Sequence, residues 1–139
     1  MDKWDYAHMK TAENYAQLSH AKRAKVGAVI VKDNRIISIG YNGMPSGWEN
    51  DCEYLISDTN ELKTRPEVLH AEANVISKVA QSSESTLDST IYCTMMPCLD
   101  CAKLIYQSGI HKVFYRDDYP KGTKGLNFLQ KCGIMVTKI

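Results

Sequence analysis

A β-rich segment, a proline and a helical segment follow one another around Pro97, and this order restricts the fold more than any other feature of the sequence. Residues 90–94 are β-rich, and Pro97 begins a helical pattern that ends near Ser108, directly before Gly109. Proline is favoured in the first turn of a helix, and glycine is favoured just after its end. Residues 112–115 form another β-rich run. A strand, a helix and a strand in this order predict a sheet covered by helices.

The rest of the chain continues this alternation. Residues at three-to-four spacing predict a first helix that ends near Ser19 and buries one face, made of Trp4, His8, Thr11, Ala12, Tyr15 and Ala16. Residues 26–31 and 36–39 are joined by a polar turn and predict a β-hairpin. We predict two further helices at 69–80 and 125–131, and a last strand at 134–139.

A long polar segment separates the predicted hairpin from the second helix. Residues 40–47 carry three glycines and a proline, and residues 51–66 show neither a helical nor a strand period. Irregular segments of this length are uncommon in compact domains, where they are usually functional or disordered. We therefore expect an irregular loop that borders a site.

Length and charge limit the possible classes of protein. The chain of 139 residues predicts one domain, residues 1–139, built on a mixed α/β sheet. Seventeen Lys and Arg balance sixteen Asp and Glu without a block of like charge, so we expect neither a nucleic-acid nor a membrane partner. The N-terminus lacks the apolar core of a signal peptide, and no apolar run approaches the roughly 20 residues of a membrane span, which predicts a cytoplasmic protein. Five cysteines, two of them in C-x-x-C, favour metal or thiol chemistry over a disulfide framework.

Four residues at two predicted helix starts have the chemistry of a zinc site. His70 and Glu72 lie at one start, and Cys98 and Cys101 lie at the other. Helix starts offer free N–H groups and a partial positive charge, which favour the thiolate that zinc requires. One histidine and two cysteines give three ligands and leave the fourth position to water, as in catalytic zinc sites. Glu72 is then placed to transfer protons.

The combination of H-x-E with P-C-x-x-C resembles the signature of zinc-dependent deaminases. Further segments resemble the cytidine and deoxycytidylate deaminase superfamily and, within it, the deoxycytidylate (dCMP) deaminase family: VGAVIV at 26–31, GYNGMP at 40–45, HAEAN at 70–74, CLDCAKLI at 98–105 and QSGI at 107–110. The resemblance implies a cytidine-deaminase-like fold, in which a five-stranded mixed sheet is sandwiched between helices, and a homo-oligomer that is commonly a hexamer. It also implies conversion of dCMP to dUMP for thymidylate synthesis, with one catalytic Zn²⁺ per chain.

The same resemblance implies roles for individual residues. Asn42 is expected to bind the sugar of the substrate, and Arg23 is expected to bind its phosphate. The family is activated by dCTP and inhibited by dTTP, and such a triphosphate would carry Mg²⁺. The resemblance places this regulatory nucleotide near residues 42–53, where the candidates are Asn42, Gly43, Met44, Asp51 and Glu53.

Further candidates come from the residues themselves. The backbone N–H groups of Ala71 and Cys98 lie at helix starts, where they could hold substrate atoms. Tyr115 and Tyr119 are candidates for an aromatic wall over the base, with core or surface positions as the alternative. Lys121 and Lys124 are candidates for contacts with phosphate. We expect ordinary structural positions for Cys93, Cys132, His8, His20 and His111, whereas Cys52 in the polar loop is either a plain loop cysteine or lies near a nucleotide.

Two other functions stay open. The metal motif does not name the base, so a deaminase of free cytidine, deoxycytidine or tRNA adenosine is the alternative among enzymes. The near-neutral charge favours a free nucleotide over a polynucleotide. The alternative outside enzymes is a zinc-containing nucleotide-sensing module, which would need Cys52, Cys93 or Cys132 in the fourth zinc position, or an idle Glu72.

Overall fold

The computed structural model describes residues 2–139, in which helices and strands alternate as predicted. The helices are α1 (Lys3–Ala16), α2 (Ala71–Ala80), α3 (Leu99–Gln107) and α4 (Lys124–Lys131). The strands are β1 (Gly27–Lys32), β2 (Arg35–Tyr41), β3 (Glu53–Leu55), β4 (Leu62–Thr64), β5 (Thr90–Met95), β6 (Lys112–Asp117) and β7 (Met135–Lys138). Within residues 2–139, no helix combines the length and the apolar character needed to cross a membrane.

Five strands form the main sheet in the order β2-β1-β5-β6-β7. Strand β1 pairs antiparallel with β2 and β5, whereas β6 pairs parallel with β5 and β7. This confirms the predicted five-stranded mixed sheet. Because of these directions, the amino end of β1 meets the carboxyl ends of β2, β5 and β6 at one edge. Open α/β sheets bind their ligands in the crevice outside the carboxyl ends of the strands.

Alternate side chains of the strands enter two separate core layers. Ala28 and Ile30 of β1 pack with residues of α2, α3 and α4 on one face of the sheet. Val29 and Val31 pack on the other face, against α1. The sheet is therefore covered on both sides, as predicted. Cys93 of β5 is fully buried in the first layer, in agreement with the structural position expected for it.

Helix α1 differs from its prediction at both ends. It ends at Ala16 instead of near Ser19. Trp4, predicted on the buried face, is 50% exposed, so that prediction was wrong. In the first turn it is Asp5 that contacts the sheet, because its Oδ1 atom accepts a hydrogen bond of 2.7 Å from the hydroxyl of Tyr92. Gly27 allows the helix to approach β1 closely, since a β-carbon there would lie 2.1 Å from the carbonyl oxygen of Ala12.

The segment 51–66 was predicted to be irregular, and this was wrong in part. It contains a short hairpin in which β3 pairs antiparallel with β4, with Glu53 opposite Thr64. Strands of three residues are too short to give a period in the sequence. Tyr54 and Leu55 are exposed, and only Glu53 of the β3 strand is buried. The hairpin thus directs one carboxylate into the protein.

Candidate metal centre and adjoining cavity

His70, Cys98 and Cys101 bring three ligand atoms together at the edge of the sheet described above. The Nδ1 atom of His70 lies 3.5 Å from the Sγ atom of Cys98 and 3.3 Å from that of Cys101. Tetrahedral zinc, with Zn–N bonds near 2.0 Å and Zn–S bonds near 2.3 Å, places a nitrogen and a sulfur ligand about 3.5 Å apart. The three residues therefore fit a zinc ion, and within residues 2–139 they form the one group of three or more His, Cys, Asp or Glu with this spacing.

The two ligand-bearing helices begin at the ligands themselves. His70 is the N-cap of α2 and Cys98 is the N-cap of α3, and neither side chain makes a capping hydrogen bond. The side chain of Asn74 ties the first turn of α2 to β2 by donating to the carbonyl oxygen of Tyr41 at 3.0 Å. Cys101 is buried in the first turn of α3, so its sulfur points to the same side as that of Cys98.

The local environment favours ionisation of the first cysteine. A hydrogen bond with Cys101 lowers the pKa of the Cys98 thiol to about 4, burial opposes this shift, and a contact with His70 adds to it. A thiolate is the form that binds zinc. The contacts at this helix start therefore favour a thiolate in the cysteine pair.

Glu72 lies in the first turn of α2, two residues after the ligand His70. Its side chain is 4% exposed. Burial raises the pKa of Glu72 to about 7, while its own backbone N–H and nearby His70 act in the opposite direction. A carboxyl group with this pKa accepts and releases protons readily near neutral pH. Glu72 is thus suited to proton transfer beside the metal ligands.

A cavity of about 320 Å³ adjoins the metal centre. Its wall combines nine residues that the sequence predicted for catalysis, metal binding, substrate binding or regulation: Arg23, Asn42, Glu53, His70, Ala71, Glu72, Cys98, Tyr119 and Lys121. Cys52 also lines the wall. Eight further wall residues were not predicted from the sequence: Ala21, Ala24, Val26, Thr64, Val68, Met95, Met96 and Pro120. For Met95 and Met96 a signal existed, because they follow β5 at its carboxyl end.

Polar side chains fix the backbone of residues 22–26, which carries Arg23 to the cavity. Asn42 accepts a hydrogen bond from the backbone N–H of Val26 at 2.9 Å and donates to the carbonyl oxygen of Ala24 at 2.8 Å. One oxygen of Glu53 accepts from the N–H groups of Lys22 and Arg23. Asn42 therefore holds the residues that directly follow Arg23, and Glu53 holds the backbone of Arg23 itself.

Some predicted substrate residues lie outside this cavity. Tyr115 is 7% exposed within β6 and does not reach the cavity wall. Its side chain is held in the sheet because it lies at a central position, opposite Cys93. An aromatic wall beside the metal centre is available from Tyr119 instead. Lys124 begins α4 and is likewise absent from the wall, whereas Lys121 is part of it.

The predicted regulatory residues separate into three locations. Gly43 and Met44 line a second cavity of about 300 Å³, which Asn42 also borders. Asp51 lies outside both cavity walls and forms an ion pair of 2.9 Å with Arg65. Glu53 lines the first cavity, next to the metal centre. The other residues of the second wall include His20, Trp48, Asn74 and Lys78.

Comparison with known proteins places this geometry in a family. Residues 2–117 match the family described as the cytidine and deoxycytidylate deaminase zinc-binding region. The crystal structure of dCMP deaminase from the cyanophage S-TIM5, in complex with dCMP and dUMP, is similar with a TM-score of 0.91 and 45% sequence identity. The similarity covers 100% of this chain and 99% of that chain.

Two curated relatives are also phage proteins. The deoxycytidylate deaminase of Enterobacteria phage T4 is 35% identical over 153 residues, covering 83% of this chain and 79% of that protein. The deoxycytidylate deaminase of Mycobacterium phage D29 is 38% identical over 121 residues, covering 81% of this chain and 93% of that protein. The resemblance and the cytidine-deaminase-like fold predicted from the sequence are confirmed. The chain belongs to the cytidine and deoxycytidylate deaminase family.

Proposed function

We propose that this protein hydrolyses dCMP to dUMP and ammonia with one catalytic zinc ion per chain, and that it thereby supplies dUMP for thymidylate synthesis. The observation that carries the proposal is the composition of one cavity wall. Glu72 and two of the three metal ligands, His70 and Cys98, share this wall with two cationic residues, Arg23 and Lys121. A cavity of about 320 Å³ with these groups suits a pyrimidine base joined to a sugar phosphate.

Zinc, when bound, acts as a Lewis acid that makes water nucleophilic at neutral pH. The carboxylate of Glu72 takes a proton from the attacking water, whose oxygen bonds to C4 of the cytosine, and delivers that proton to N3. Glu72 then takes the proton of the new C4 hydroxyl and passes it to the amino group. The C4–N bond breaks, ammonia leaves, and C4 becomes the carbonyl carbon of dUMP. One buried carboxyl group thus serves first as the base and then as the acid.

The other wall residues orient the nucleotide. Helix starts leave backbone N–H groups free, and those of Ala71 and Cys98 can hold the base and its developing charge. Tyr119 borders the cavity and offers an aromatic surface for the base. Asn42 is assigned to the sugar, and Arg23 with Lys121 to the 5′-phosphate. The guanidinium of Arg23 is oriented by a hydrogen bond of 3.1 Å to the hydroxyl of Thr64.

The geometry also bears on the non-enzymatic alternative. A closed structural zinc site normally has four protein ligands. Among residues 2–139, Cys52, Cys93 and Cys132 do not join the metal cluster. Cys93 is sealed in the core, and Cys132 follows α4. Three protein ligands support a catalytic site over a sensing module.

A substrate panel tests the proposed function. Purified zinc-loaded protein is assayed with dCMP, dCTP, CMP, cytidine and deoxycytidine, and with an anticodon stem-loop that carries the target adenosine of tRNA. We expect the highest kcat/KM for dCMP and conversion to dUMP with one ammonia per turnover. A higher kcat/KM for a free nucleoside or for the RNA would assign the protein to that substrate instead.

We further propose that the second cavity binds dCTP as an activator and dTTP as an inhibitor, with Mg²⁺ on the triphosphate. Its wall combines a half-exposed aromatic ring, Trp48, with Lys78, Gly43 and Gly47. Asn42 borders both cavities, which gives a direct route for coupling between them. Titration of each triphosphate with Mg²⁺ should change dCMP turnover in opposite directions. Trp48→Phe should weaken both effects without a loss of basal turnover.

We also propose a homo-oligomer, with a hexamer as the expected state, and a cytoplasmic location. Exposed apolar side chains on the β3–β4 hairpin, Tyr54, Leu55, Ile56 and Leu62, support burial of this surface between subunits. Light scattering coupled to size-exclusion chromatography measures the assembly. A mass of about 15.7 kDa, which is that of one chain, would contradict the proposed oligomer.

A further inference from the structure

Glu53 is a buried carboxylate that the deamination chemistry does not use. It begins β3 and is 6% exposed. Its Oε2 atom accepts hydrogen bonds from the backbone N–H of Lys22 at 2.7 Å and from that of Arg23 at 2.8 Å. One oxygen of the side chain is therefore committed to the protein, and the orientation of the carboxylate is fixed.

The other oxygen, Oε1, is free to meet a ligand. It makes no hydrogen bond within residues 2–139. No fully buried side-chain oxygen in this part of the chain lacks a partner, so Oε1 must be reached by solvent. Glu53 belongs to the wall of the cavity next to the metal centre. Of the two cavities described above, this is the one from which a ligand can reach Glu53.

The charge of this carboxylate is not paired with a cation. No nitrogen of a Lys, Arg or His side chain in residues 2–139 lies within 4.0 Å of it. A carboxylate accepts hydrogen bonds and cannot donate them. This part of the wall therefore attracts a neutral O–H or N–H group and repels an anion.

The proposed substrate has only two hydrogen-bond donors that are neutral groups, its amino group and its 3′-hydroxyl. This step rests on the proposed function, which commits the amino group to Glu72 and the 5′-phosphate to Arg23. The 3′-hydroxyl is the donor that remains. Glu53 contacts the backbone of Arg23 and lies on the same wall as Asn42, the residue assigned to the sugar.

We propose that Glu53 determines specificity at the 3′ position of the sugar. Its Oε1 atom accepts a hydrogen bond from a free 3′-hydroxyl and excludes a 3′-phosphate, because the phosphate would bring negative charge to an unpaired carboxylate. A nucleotide within a polynucleotide carries such a phosphate. The enzyme is therefore restricted to free mononucleotides by a residue on the wall as well as by its near-neutral surface.

The test compares three substrates with the zinc-loaded wild type and with Glu53→Gln. The substrates are dCMP, 2′,3′-dideoxy-CMP, which lacks the 3′-hydroxyl, and deoxycytidine 3′,5′-bisphosphate, which carries a 3′-phosphate. The wild type should prefer dCMP to the dideoxy compound by about 10- to 100-fold in kcat/KM, as expected for a hydrogen bond to a charged group. In Glu53→Gln the preference should fall to about 2- to 10-fold, because the amide makes a neutral hydrogen bond.

Turnover of the bisphosphate should improve in Glu53→Gln, whereas the preference for dCMP over the dideoxy compound should fall. Glu53→Gln should raise its kcat/KM at least about tenfold, because a like charge has been removed. Glu61→Gln is the matched control, since Glu61 lies on the same hairpin but is exposed and outside the cavity. All ratios should stay at the wild-type values in that control. Zinc content and thermal unfolding verify that both variants are folded.

Turnover of dCMP by the wild type tests the proposed function independently of Glu53. Given that turnover, an equal loss on dCMP and on the dideoxy compound in Glu53→Gln would mean that Glu53 only supports the backbone at Lys22 and Arg23. If Glu53→Gln does not raise kcat/KM for the bisphosphate, the proposed exclusion of a 3′-phosphate is wrong. Equal kcat/KM of the wild type for dCMP and for the dideoxy compound would also overturn the proposal. This comparison does not depend on whether Glu53→Gln folds.

Discussion

Gly125 lies so close to Pro97 that a β-carbon on Gly125 would stand 2.1 Å from the carbonyl oxygen of Pro97. The same atom would meet the carbonyl carbon of Cys98 at 2.9 Å. Non-bonded atoms do not approach to these distances, so one of the two segments would have to move. The start of α4 therefore sets the position of the backbone that carries Cys98, a proposed metal ligand.

Gly125→Ala should displace the 97–98 backbone and weaken zinc binding together with stability. We expect a loss of about 1–3 kcal/mol in the free energy of unfolding, as for other overpacked sites. Gly43→Ala is the control, because a β-carbon on Gly43 would have no atom within 4 Å. Urea unfolding and zinc analysis measure both effects. Unchanged zinc affinity in Gly125→Ala would contradict a supporting role for this contact.

Glu72→Gln should keep about one zinc per chain and lose turnover by roughly 100- to 10,000-fold, because it removes the proton carrier and leaves the ligands intact. Metal analysis and steady-state kinetics with dCMP give the two readouts. Glu67→Gln, at an exposed position outside the cavity, should behave as the wild type. Substantial turnover by Glu72→Gln would refute the role of this residue.

Cys98→Ala and Cys101→Ala should each lose zinc and become less stable, because metal binding and folding are coupled. Cys132→Ala is the matched control, since Cys132 is outside the metal cluster within residues 2–139. It should retain zinc at the wild-type level. Zinc stoichiometry before and after dialysis against a chelator distinguishes the variants. Full zinc retention by either ligand variant would mean that the ligand set is wrong.

Arg23→Ala should lower kcat/KM for dCMP by about ten- to a hundredfold, the value of a charge-assisted hydrogen bond to phosphate. Any activity on deoxycytidine should stay nearly unchanged, because the nucleoside has no phosphate. Lys22→Ala provides the control, as its exposed side chain is adjacent but does not line the cavity. An equal loss on both substrates would indicate a structural effect. An unchanged kcat/KM for dCMP would mean that another residue binds the phosphate, with Lys121 as the next candidate.

Tyr92→Phe should lower stability by about 1 kcal/mol at pH 7, since it removes a hydrogen bond to a partly exposed carboxylate. Burial alone would raise the pKa of Asp5, but hydrogen bonds from Tyr92 and from the backbone of Asp2 hold it below its usual value of 3.8. A carboxyl group whose pKa is lower in the folded than in the unfolded protein stabilises the fold at pH values above its unfolded pKa. This stabilisation is lost as the pH falls through the folded pKa.

The difference in the free energy of unfolding between Tyr92→Phe and the wild type should therefore become smaller as the pH is lowered from 7 to 3. Urea unfolding at both pH values measures it. Tyr6→Phe, whose ring is 53% exposed on the same helix, should match the wild type at both. A difference that stays constant with pH would rule out the contribution of the carboxylate.

The sequence predicted the features whose signals are local. Pro97 and Gly109 marked both ends of α3 within two residues, and the strict spacing of His70, Glu72, Cys98 and Cys101 predicted a shared metal centre. These signals are strong because helix termini and metal ligands each require a particular residue type at a particular position. The core role of Cys93 followed from its position within an apolar strand.

Features that depend on tertiary contacts were not predictable in the same way. Glu53 stood in a polar segment without a period, and only the pairing of β3 with β4 turns it toward the cavity. Trp4 had the correct helical spacing for burial, yet Asp5 contacts the sheet through Tyr92. In both cases a partner distant in the sequence decides which side chain is buried.

The uncapped starts of α2 and α3 create a conflict between folding and function. Serine or aspartate at positions 70 and 98 would accept hydrogen bonds from the free N–H groups and stabilise each helix by about 1 kcal/mol. Histidine and cysteine forgo that stabilisation and leave both helix starts open toward the proposed metal site and its substrate. Selection for thermostability alone would therefore drive these two positions away from the residues that the proposed catalysis needs. A directed-evolution or design campaign on this fold should hold them constant and seek its gains elsewhere.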